Sequence, residues 1–354
     1  MTKETPFTPE RIYDDGRKRF SGGGRLGKAL LVLMGLVFGF IILEAAASVA
    51  ERAQAHKAGY SPVRGHRSRE PLNAAGYRDL DHAKKKPPGV HRLVVVGDSF
   101  TYGAGVLLDD TYGKRLERAL STSRSEPWES IILATPGIGT EEEEQIVQNE
   151  ALAYSPDVLV LGYVLNDAEG HDDAERRRAL DWSQAEEEKR RPPLWRRSAL
   201  FRLVADRLHA TRENRLRVEN HLALYRDGAP GFTAARQAIG RVAARCRDER
   251  VPLVAAIFPL FANSLDTAYP FESVHQKVGA VFKSSGAVVV DLLPYYRDLD
   301  WRLLVVEGAR DEHPNELAHR IAAQALLQGL QQTLPPRTNP SRRLKDRPEG
   351  RHVT

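Results

Sequence analysis

Five short apolar runs, separated by stretches with helical periodicity, restrict the fold of this 354-residue chain more than any other feature. The runs are continuous and do not alternate with polar residues, as expected for strands that are covered on both faces. They are rich in β-branched residues and lie at 91–96, 130–133, 157–164, 252–258 and 287–292. Strands that alternate with helices predict an α/β fold with a doubly wound parallel sheet of about five strands.

Between these runs, apolar residues recur with the spacing of amphipathic helices. The predicted helices cover 110–121, 141–154, 232–247, 271–284 and 315–330. Residues 168–231 interrupt this alternation, because they are rich in Arg and Glu and contain a further helical stretch at 198–214. We interpret them as a charged, solvated helical excursion over the sheet. A lid or a partner surface is the alternative, because the excursion directly follows a strand.

A membrane segment is predicted near the N-terminus. Residues 29–50 contain only Glu44 and Ser48 as polar residues, and a helix of this length spans about 33 Å, enough to cross a bilayer core. Basic residues precede the segment, which predicts a signal anchor with its N-terminus in the cytoplasm and the following residues on the outer side. The alternatives are a buried core helix and, since small residues end the segment, a signal peptide that is removed.

The net charge of +5 is concentrated in the two tails. Residues 1–28 and 333–354 carry +3 and +4, so the remainder of the chain is slightly acidic. This distribution argues against a nucleic-acid partner, which requires a basic folded surface. We predict a cytoplasmic tail (1–28), the anchor (29–50), a linker (51–90), one α/β domain (91–332) and a disordered basic tail (333–354).

Metal and cofactor sites are not expected. The chain has a single cysteine, Cys246, which excludes an intrachain disulfide and a metal site built from several cysteines. The sequence also lacks a loop of the kind that cradles phosphate groups.

The first predicted strand is followed by a candidate nucleophile. Ligands of open α/β sheets bind beyond the carboxyl ends of the strands, so side chains at those ends are the candidates for chemistry. Residues 97–106 read GDSFTYGAGV, and their glycines allow a tight turn that places Ser99 at the strand tip. The alternative is a Ser/Asp turn without chemistry.

The next two loops contain hydrogen-bond donors. Gly137, in TPGIGT, has no Cβ, so its N–H group can approach a substrate oxygen; a plain turn glycine is the alternative. Asn166 follows the third strand in YVLND and places an amide where the chain leaves the sheet; a turn or helix cap is the alternative. The helix dipole explains the four glutamates at 141–144, which open a helix.

A candidate general base precedes the last predicted helix. Asp311 lies two residues before His313, and a carboxylate at this spacing can orient an imidazole for proton transfer. We interpret the other histidines considered as structural, because they lie inside a helix or lack a comparable acid: His319, His171 and His275.

Ser99, Gly137, Asn166 and His313, in this chain order, resemble the signature of the SGNH (GDSL-type) hydrolase superfamily, in particular its membrane-anchored bacterial members. The resemblance covers the anchor and most of residues 73–330. It includes NAAGYR before the domain and HPNELAH at its end. It implies a flavodoxin-like three-layer sandwich behind one N-terminal transmembrane helix.

The resemblance also implies a role for each residue. Ser99 would be the nucleophile, His313 its general base and Asp311 the carboxylate that orients the imidazole. The N–H groups of Ser99 and Gly137 and the side-chain amide of Asn166 would form an oxyanion hole, which stabilises the charge of the tetrahedral intermediate.

The chain departs from the family pattern in two places. The acid and the histidine are spaced Asp-x-His, whereas many members have Asp-x-x-His. Ile132 and Ala134 occupy positions where similar members often have Asn and Gly. The first departure concerns the geometry of the acid, and the second concerns the support of the loop that carries Gly137.

We therefore predict a membrane-tethered serine esterase that cleaves carboxylic esters outside the cytoplasm through an acyl-enzyme. Its expected partners are an acylated small molecule or glycan and the lipid bilayer, which residues 29–50 would contact. O-acetyl groups of envelope or exported polysaccharide are one candidate substrate class. The alternatives are an O-acyltransferase that acts on a glycan and a non-catalytic envelope scaffold with a hydrolase-like fold. The sequence leaves the oligomeric state open.

Overall fold

The computed structural model describes residues 25–57, 72–169, 198–261, 263–306 and 312–334. Several sequence predictions lie outside these residues. They are the cytoplasmic tail up to residue 24, the excursion from 170 to 197, the basic tail beyond 334, and two single positions, Asp311 and His171.

The first helix, α1 (Arg25–Lys57), contains the predicted membrane segment and extends beyond it at both ends. Within the described residues, this is the one helix that is long and apolar enough to cross a membrane, with its apolar span at Gly27–Val49. The large side chains of the span are exposed, for example Leu31 and Phe38. Their exposure rules out the alternative of a core helix.

All five predicted strands are present: β1 (His91–Gly97), β2 (Trp128–Ala134), β3 (Val158–Val164), β4 (Leu253–Phe258) and β5 (Val288–Asp291). They form one parallel sheet with the order β2-β1-β3-β4-β5. Nearly all residues of β1 to β4 are buried, as the continuous apolar runs predicted, whereas in the edge strand β5 only Val290 is buried.

Helices cover both faces of the sheet and produce the predicted three-layer α/β fold. The helices after α1 are α2 (Ser99–Tyr102), α3 (Tyr112–Arg124), α4 (Thr140–Asn149), α5 (Ala199–Leu224), α6 (Pro230–Asp248), α7 (Glu272–Ser284), α8 (Leu293–Tyr296) and α9 (Glu316–Thr333). On one face α3 packs against α9, and on the other α4 packs against α6, which in turn contacts α7. The helical stretch predicted in the excursion corresponds to α5.

The strand order places a crevice at the carboxyl ends of β1 and β3, because the chain continues in opposite directions from these two neighbouring strands. Gly97 and Gly162 pair across the two strands. A Cβ on Gly97 would lie 2.1 Å from Oγ1 of Thr101, and one on Gly162 would lie 2.3 Å from the same atom. The two glycines therefore leave the space in which α2 folds back over the sheet and holds Ser99 above the crevice.

The segment before β1 differs from a simple linker. Residues 72–90 pack on the α/β domain, and the side chains of Tyr77, Arg78 and Asp79 are buried. Asp79 accepts a hydrogen bond from the Ile132 N–H group of the edge strand β2 (2.7 Å) and pairs with Lys114 of α3 (2.6 Å). The charged residues of this segment are therefore used inside the domain, and the segment packs onto it.

Candidate active site

The predicted nucleophile and general base lie together. Nε2 of His313 is 3.0 Å from Oγ of Ser99, although the two residues are 214 positions apart in the chain. Both side chains are partly exposed, so a substrate can reach them. The distance is within the range for a hydrogen bond between a hydroxyl group and an imidazole that takes its proton.

Ser99 is held at the start of α2 by the residue before it. The Asp98 carboxylate accepts a hydrogen bond from the Phe100 N–H group (2.9 Å) and thereby caps the short helix. Gly103 ends this helix in the left-handed region (φ 76°), where its N–H group donates to the Ser99 carbonyl. The GDSFTYG motif thus forms one turn of helix that begins with the nucleophile, as its glycines predicted.

Arg78 holds the loop that follows this turn. Its guanidinium is 1% exposed and donates to the carbonyl groups of Tyr102 (2.9 Å), Gly103 (2.9 Å) and Val106 (2.6 Å). The Gly103 carbonyl also accepts from the Val106 N–H group, so among the described contacts it is the Tyr102 and Val106 carbonyl groups that depend on Arg78 for a donor. Arg78 lies in the NAAGYR segment of the family resemblance, but no local sequence pattern shows which loop a distant arginine contacts.

His313 is positioned by the loop in front of α9. Its carbonyl accepts from the Val306 N–H group (3.0 Å), and its ring lies edge-on to Phe100, with centroids 5.6 Å apart. Two residues later, Asn315 caps α9 by accepting from the Leu317 and Ala318 N–H groups. The His-Pro-Asn sequence therefore places the imidazole at a fixed distance from a helix start.

Asp311, the predicted orienting acid, lies outside the described residues. The adjoining Glu312 is described, and its carboxylate pairs with Arg217 of α5. The excursion helix thus reaches the loop that carries the histidine.

Asn166 lies directly beyond β3 on the same side of the sheet as Ser99. Its side-chain amide is near enough to the Asp98 carboxylate to help lower the pKa of that group. Burial raises the pKa of Asp98, whereas hydrogen bonds from Phe100, Ser99 and Asn166 and the nearby His313 oppose the increase. An amide nitrogen carries two hydrogens, so one can be held by Asp98 while the second remains available for a ligand.

Gly137 lies in the loop between β2 and α4 and has a φ of 79°, which favours glycine. This loop is attached to the Asn166 loop through Asp167. The Asp167 carbonyl accepts from both the N–H and the hydroxyl group of Thr140, each at 3.1 Å. A Cβ at Gly139 would lie 2.9 Å from the same carbonyl. The loops that carry the two predicted donors are therefore joined directly.

Three buried carboxyl groups lie behind these loops. Asp98, Glu143 and Asp167 are at most 2% exposed. Burial, then the charges of Asp98 and Glu142, raise the pKa of Glu143 well above its ordinary value. Burial and the charges of Glu143 and Asp98 do the same for Asp167. Within the described residues, neither Glu143 oxygen has a hydrogen-bond partner.

Glu143 thus differs from its neighbours in the run of four glutamates. The helix dipole accounts for acids in a first turn, but it does not account for one that is fully buried. Glu143 shares a helix face with the buried Val147, four residues later. This spacing was the one sequence signal that could have identified it.

The other described histidines lie away from Ser99. His319 is fully buried in α9, where Nδ1 accepts from the Tyr112 N–H group (3.2 Å). Nδ1 of His275 contacts Asp291 (2.7 Å). The described part of the chain contains no group of three or more His, Cys, Asp or Glu side chains arranged to hold a metal ion.

Several proteins of known structure are similar to this chain. Among solved structures, the chain is similar to a lipase/acylhydrolase from Enterococcus faecalis, with 15% identity, coverage of 70% of this chain and 100% of that chain, and a TM-score of 0.42. It is also similar to an acetylxylan esterase from Geobacillus stearothermophilus, with 12% identity, coverage of 68% and 94%, and a TM-score of 0.42. A comparison with curated proteins gave no match.

The family assignment rests on the sequence itself. Residues 95–321, which include Ser99, Gly137, Asn166 and His313, match the GDSL-like lipase/acylhydrolase family. This range covers more than half of the chain and coincides with most of the α/β domain. The protein therefore belongs to the GDSL-like lipase/acylhydrolase family and is a serine hydrolase of carboxylic esters.

Proposed function

We propose that this protein is a membrane-tethered esterase that removes acyl groups from its substrate outside the cytoplasm, with Ser99 as nucleophile and His313 as general base. The observation that carries the proposal is the 3.0 Å distance between Oγ of Ser99 and Nε2 of His313. A serine hydroxyl group is a weak nucleophile until a base removes its proton during attack.

The reaction begins with attack of Ser99 Oγ on the ester carbonyl carbon, while its proton passes to Nε2 of His313. The carbonyl oxygen becomes negatively charged and accepts hydrogen bonds from the N–H groups of Ser99 and Gly137 and the Asn166 amide. The nearby Asp98 carboxylate supports this role, because it favours an orientation of Asn166 in which the amide N–H groups face the site. Because these donors are already in place before the reaction, they need not reorganise as the negative charge develops on the carbonyl oxygen.

The second half of the reaction releases the acyl group. The protonated His313 gives its proton to the leaving alcohol, and the acyl group remains on Ser99. A water molecule then loses a proton to His313 and attacks the acyl carbon, the bond from this carbon to Ser99 Oγ breaks, and His313 returns the proton to Oγ as the acid is released. Asp311 holds the imidazole orientation through both steps, by the ordinary logic of a serine-histidine-acid triad.

We propose O-acetyl groups of envelope or exported polysaccharide as the substrate class. The apolar span Gly27–Val49 supports a location at a membrane, and its basic flank supports an outward-facing domain. A reporter enzyme fused after residue 334, active on the outer side only, would agree with this orientation.

The catalytic proposal is tested with the full-length chain in detergent and p-nitrophenyl acetate as substrate. Ser99→Ala or His313→Ala should lower kcat by a factor on the order of 10⁴ or more, and Asn166→Ala by about 10²–10³. A fluorophosphonate should label the wild type and leave Ser99→Ala unlabelled. Wild-type inactivity towards all short acyl esters, with no labelling of Ser99, would refute the proposal.

The role of Asp311 has a matched control in the adjoining acid. Asp311→Asn should lower kcat by a factor on the order of 10⁴, because the imidazole loses the carboxylate that orients it. Glu312→Gln should change kcat only slightly, since Glu312 pairs with Arg217. If instead Glu312→Gln gives the larger loss, the orienting acid has been assigned to the wrong residue.

A further inference from the structure

The acid inside the apolar span has a defined partner in the structure. Glu44 of α1 accepts hydrogen bonds from the Ser198 hydroxyl group (2.6 Å) and from the N–H groups of Ala199 and Leu200, at the start of α5. The first N–H groups of a helix have no partner within the helix, and they favour a negative charge. The Glu44 carboxylate therefore caps α5 and is itself satisfied by three donors.

Helices α1 and α5 are in close contact, and residues of both helices hold this contact. Ser198 also accepts from the Phe201 N–H group (3.2 Å), so one hydroxyl group links Glu44 to the first turn of α5. Ala47 of α1 and Ala199 of α5 are both buried, at 4% and 2% exposed. Small residues at this position allow the helices to approach each other.

The first turn of α5 extends the apolar surface of α1. Phe201 is 54% exposed, and its ring centroid lies 6.1 Å from that of Phe40. Ile41 and Leu43, on the adjacent part of α1, are also more than half exposed. A large exposed phenylalanine beside a helix with lipid-facing side chains is placed to contact the same lipid.

We propose that the first turn of α5, residues 198–201, enters the bilayer beside α1, with Phe201 against the acyl chains and Glu44 holding the turn in place. The inference rests on the proposed membrane span. Glu44 lies five residues before Val49, the end of the apolar span, which corresponds to a depth of about 7 Å. Amphipathic elements commonly bury their apolar faces about 5–10 Å into the boundary between headgroups and acyl chains.

The same helix leads from this turn to the active site. Arg217, which pairs with Glu312 beside His313, lies about 27 Å along α5 from Ala199. Tyr225, directly after α5, donates to the Leu165 carbonyl beside Asn166 (2.9 Å). The membrane contact would therefore keep the catalytic loops at a set height above the bilayer, where they meet acylated molecules attached to it.

The experiment measures contact with lipid at single positions of the full-length chain in phosphatidylcholine and phosphatidylglycerol vesicles. Phe201→Cys is labelled with an environment-sensitive nitrobenzoxadiazole dye and mixed with lipids that carry a nitroxide quencher on the acyl chain. The matched control on the same helix is Leu216→Cys, which is 44% exposed and lies about 22 Å further along α5. Val37→Cys reports on the span itself. The native Cys246 is 1% exposed, so it should not react with the dye.

The expected result is strong quenching at Phe201→Cys and at Val37→Cys, and none at Leu216→Cys. Adding Glu44→Leu should abolish quenching at position 201 and preserve it at position 37. If position 37 is quenched while position 201 behaves like position 216, the inference is overturned and the span is retained. If position 37 is not quenched either, both the span and the inference are overturned. Unchanged quenching at position 201 after Glu44→Leu would contradict the role given to Glu44.

Discussion

Replacement of the buried acid Glu143 by glutamine should change how the stability of the protein depends on pH. The side chain is fully buried, its oxygens have no hydrogen-bond partner among the described residues, and the carboxyl groups of Asp98 and Asp167 lie nearby. Burial and these charges raise its pKa, so the folded protein retains a proton that the unfolded chain releases above about pH 4.3.

The size of the effect follows from this retained proton. A group with a raised folded-state pKa stabilises fully below its unfolded pKa, and this contribution is lost as the pH rises towards the folded value. The loss is at most about 1.4 kcal/mol per pH unit, or at most about 2.7 kcal/mol between pH 5 and pH 7. Glutamine has nearly the same shape and does not titrate. Relative to the wild type, Glu143→Gln should therefore gain up to this amount of stability over that interval.

The assay is urea denaturation of the detergent-solubilised chain at pH 5, 6 and 7, followed by circular dichroism. Glu141→Gln is the matched control, because Glu141 lies in the same helical turn but is exposed. Its free energy of unfolding should follow that of the wild type with pH. If the Glu143→Gln values also run parallel to those of the wild type, Glu143 is ionised in the folded protein and the reasoning from burial fails.

Two further predictions concern the packing around the nucleophile. Gly162→Ala should destabilise the protein by about 1–3 kcal/mol, because the new Cβ would lie 2.3 Å from Oγ1 of Thr101 and 2.5 Å from the Tyr112 hydroxyl group; Gly240→Ala, with no atom within 4 Å, should be neutral or stabilising by up to about 1 kcal/mol. Equal effects in thermal denaturation would contradict the close approach. Burial, with Arg115 and Arg78, lowers the pKa of His319 to about 3, so its contribution is present above pH 6.5 and is lost as the pH falls. Between pH 6 and pH 4, the free energy of unfolding of His319→Asn should therefore decrease less steeply than that of the wild type, by up to about 1.4 kcal/mol per pH unit. An unchanged pH dependence in urea denaturation would show that His319 is protonated in the folded state.

The sheet could be predicted from the sequence because its strands are buried on both faces. Such strands produce continuous apolar runs, and the five runs correspond to the five strands with small differences at their ends. The proximity of Ser99 and His313 follows from the fold, since one residue lies just after β1 and the other precedes α9. Local patterns thus identified the elements, and the resemblance to a known family indicated which of their ends meet.

Contacts between distant polar residues could not be predicted in this way. Glu44 is a polar residue within an apolar segment, and its partners at the start of α5 are more than 150 residues away in the chain. Arg78 and Glu143 have ordinary sequence surroundings, and only the packing of their segments against the sheet makes them buried. Hydrophobic periodicity reports which face of an element is covered, but it does not report which polar group is covered with it.

The arginine that closes the turn behind the nucleophile comes from the part of the chain ahead of the first strand. A shortened enzyme that starts at residue 91 would leave the carbonyl groups of Tyr102, Gly103 and Val106 without this donor. Gly103 would keep its bond from the Val106 N–H group, whereas each of the other two orphaned groups costs about 1–3 kcal/mol, a large part of the 5–15 kcal/mol that keeps a typical domain folded. The smallest excisable catalytic unit therefore begins before Arg78, and during synthesis the nucleophile's loop is supported by residues that left the ribosome earlier.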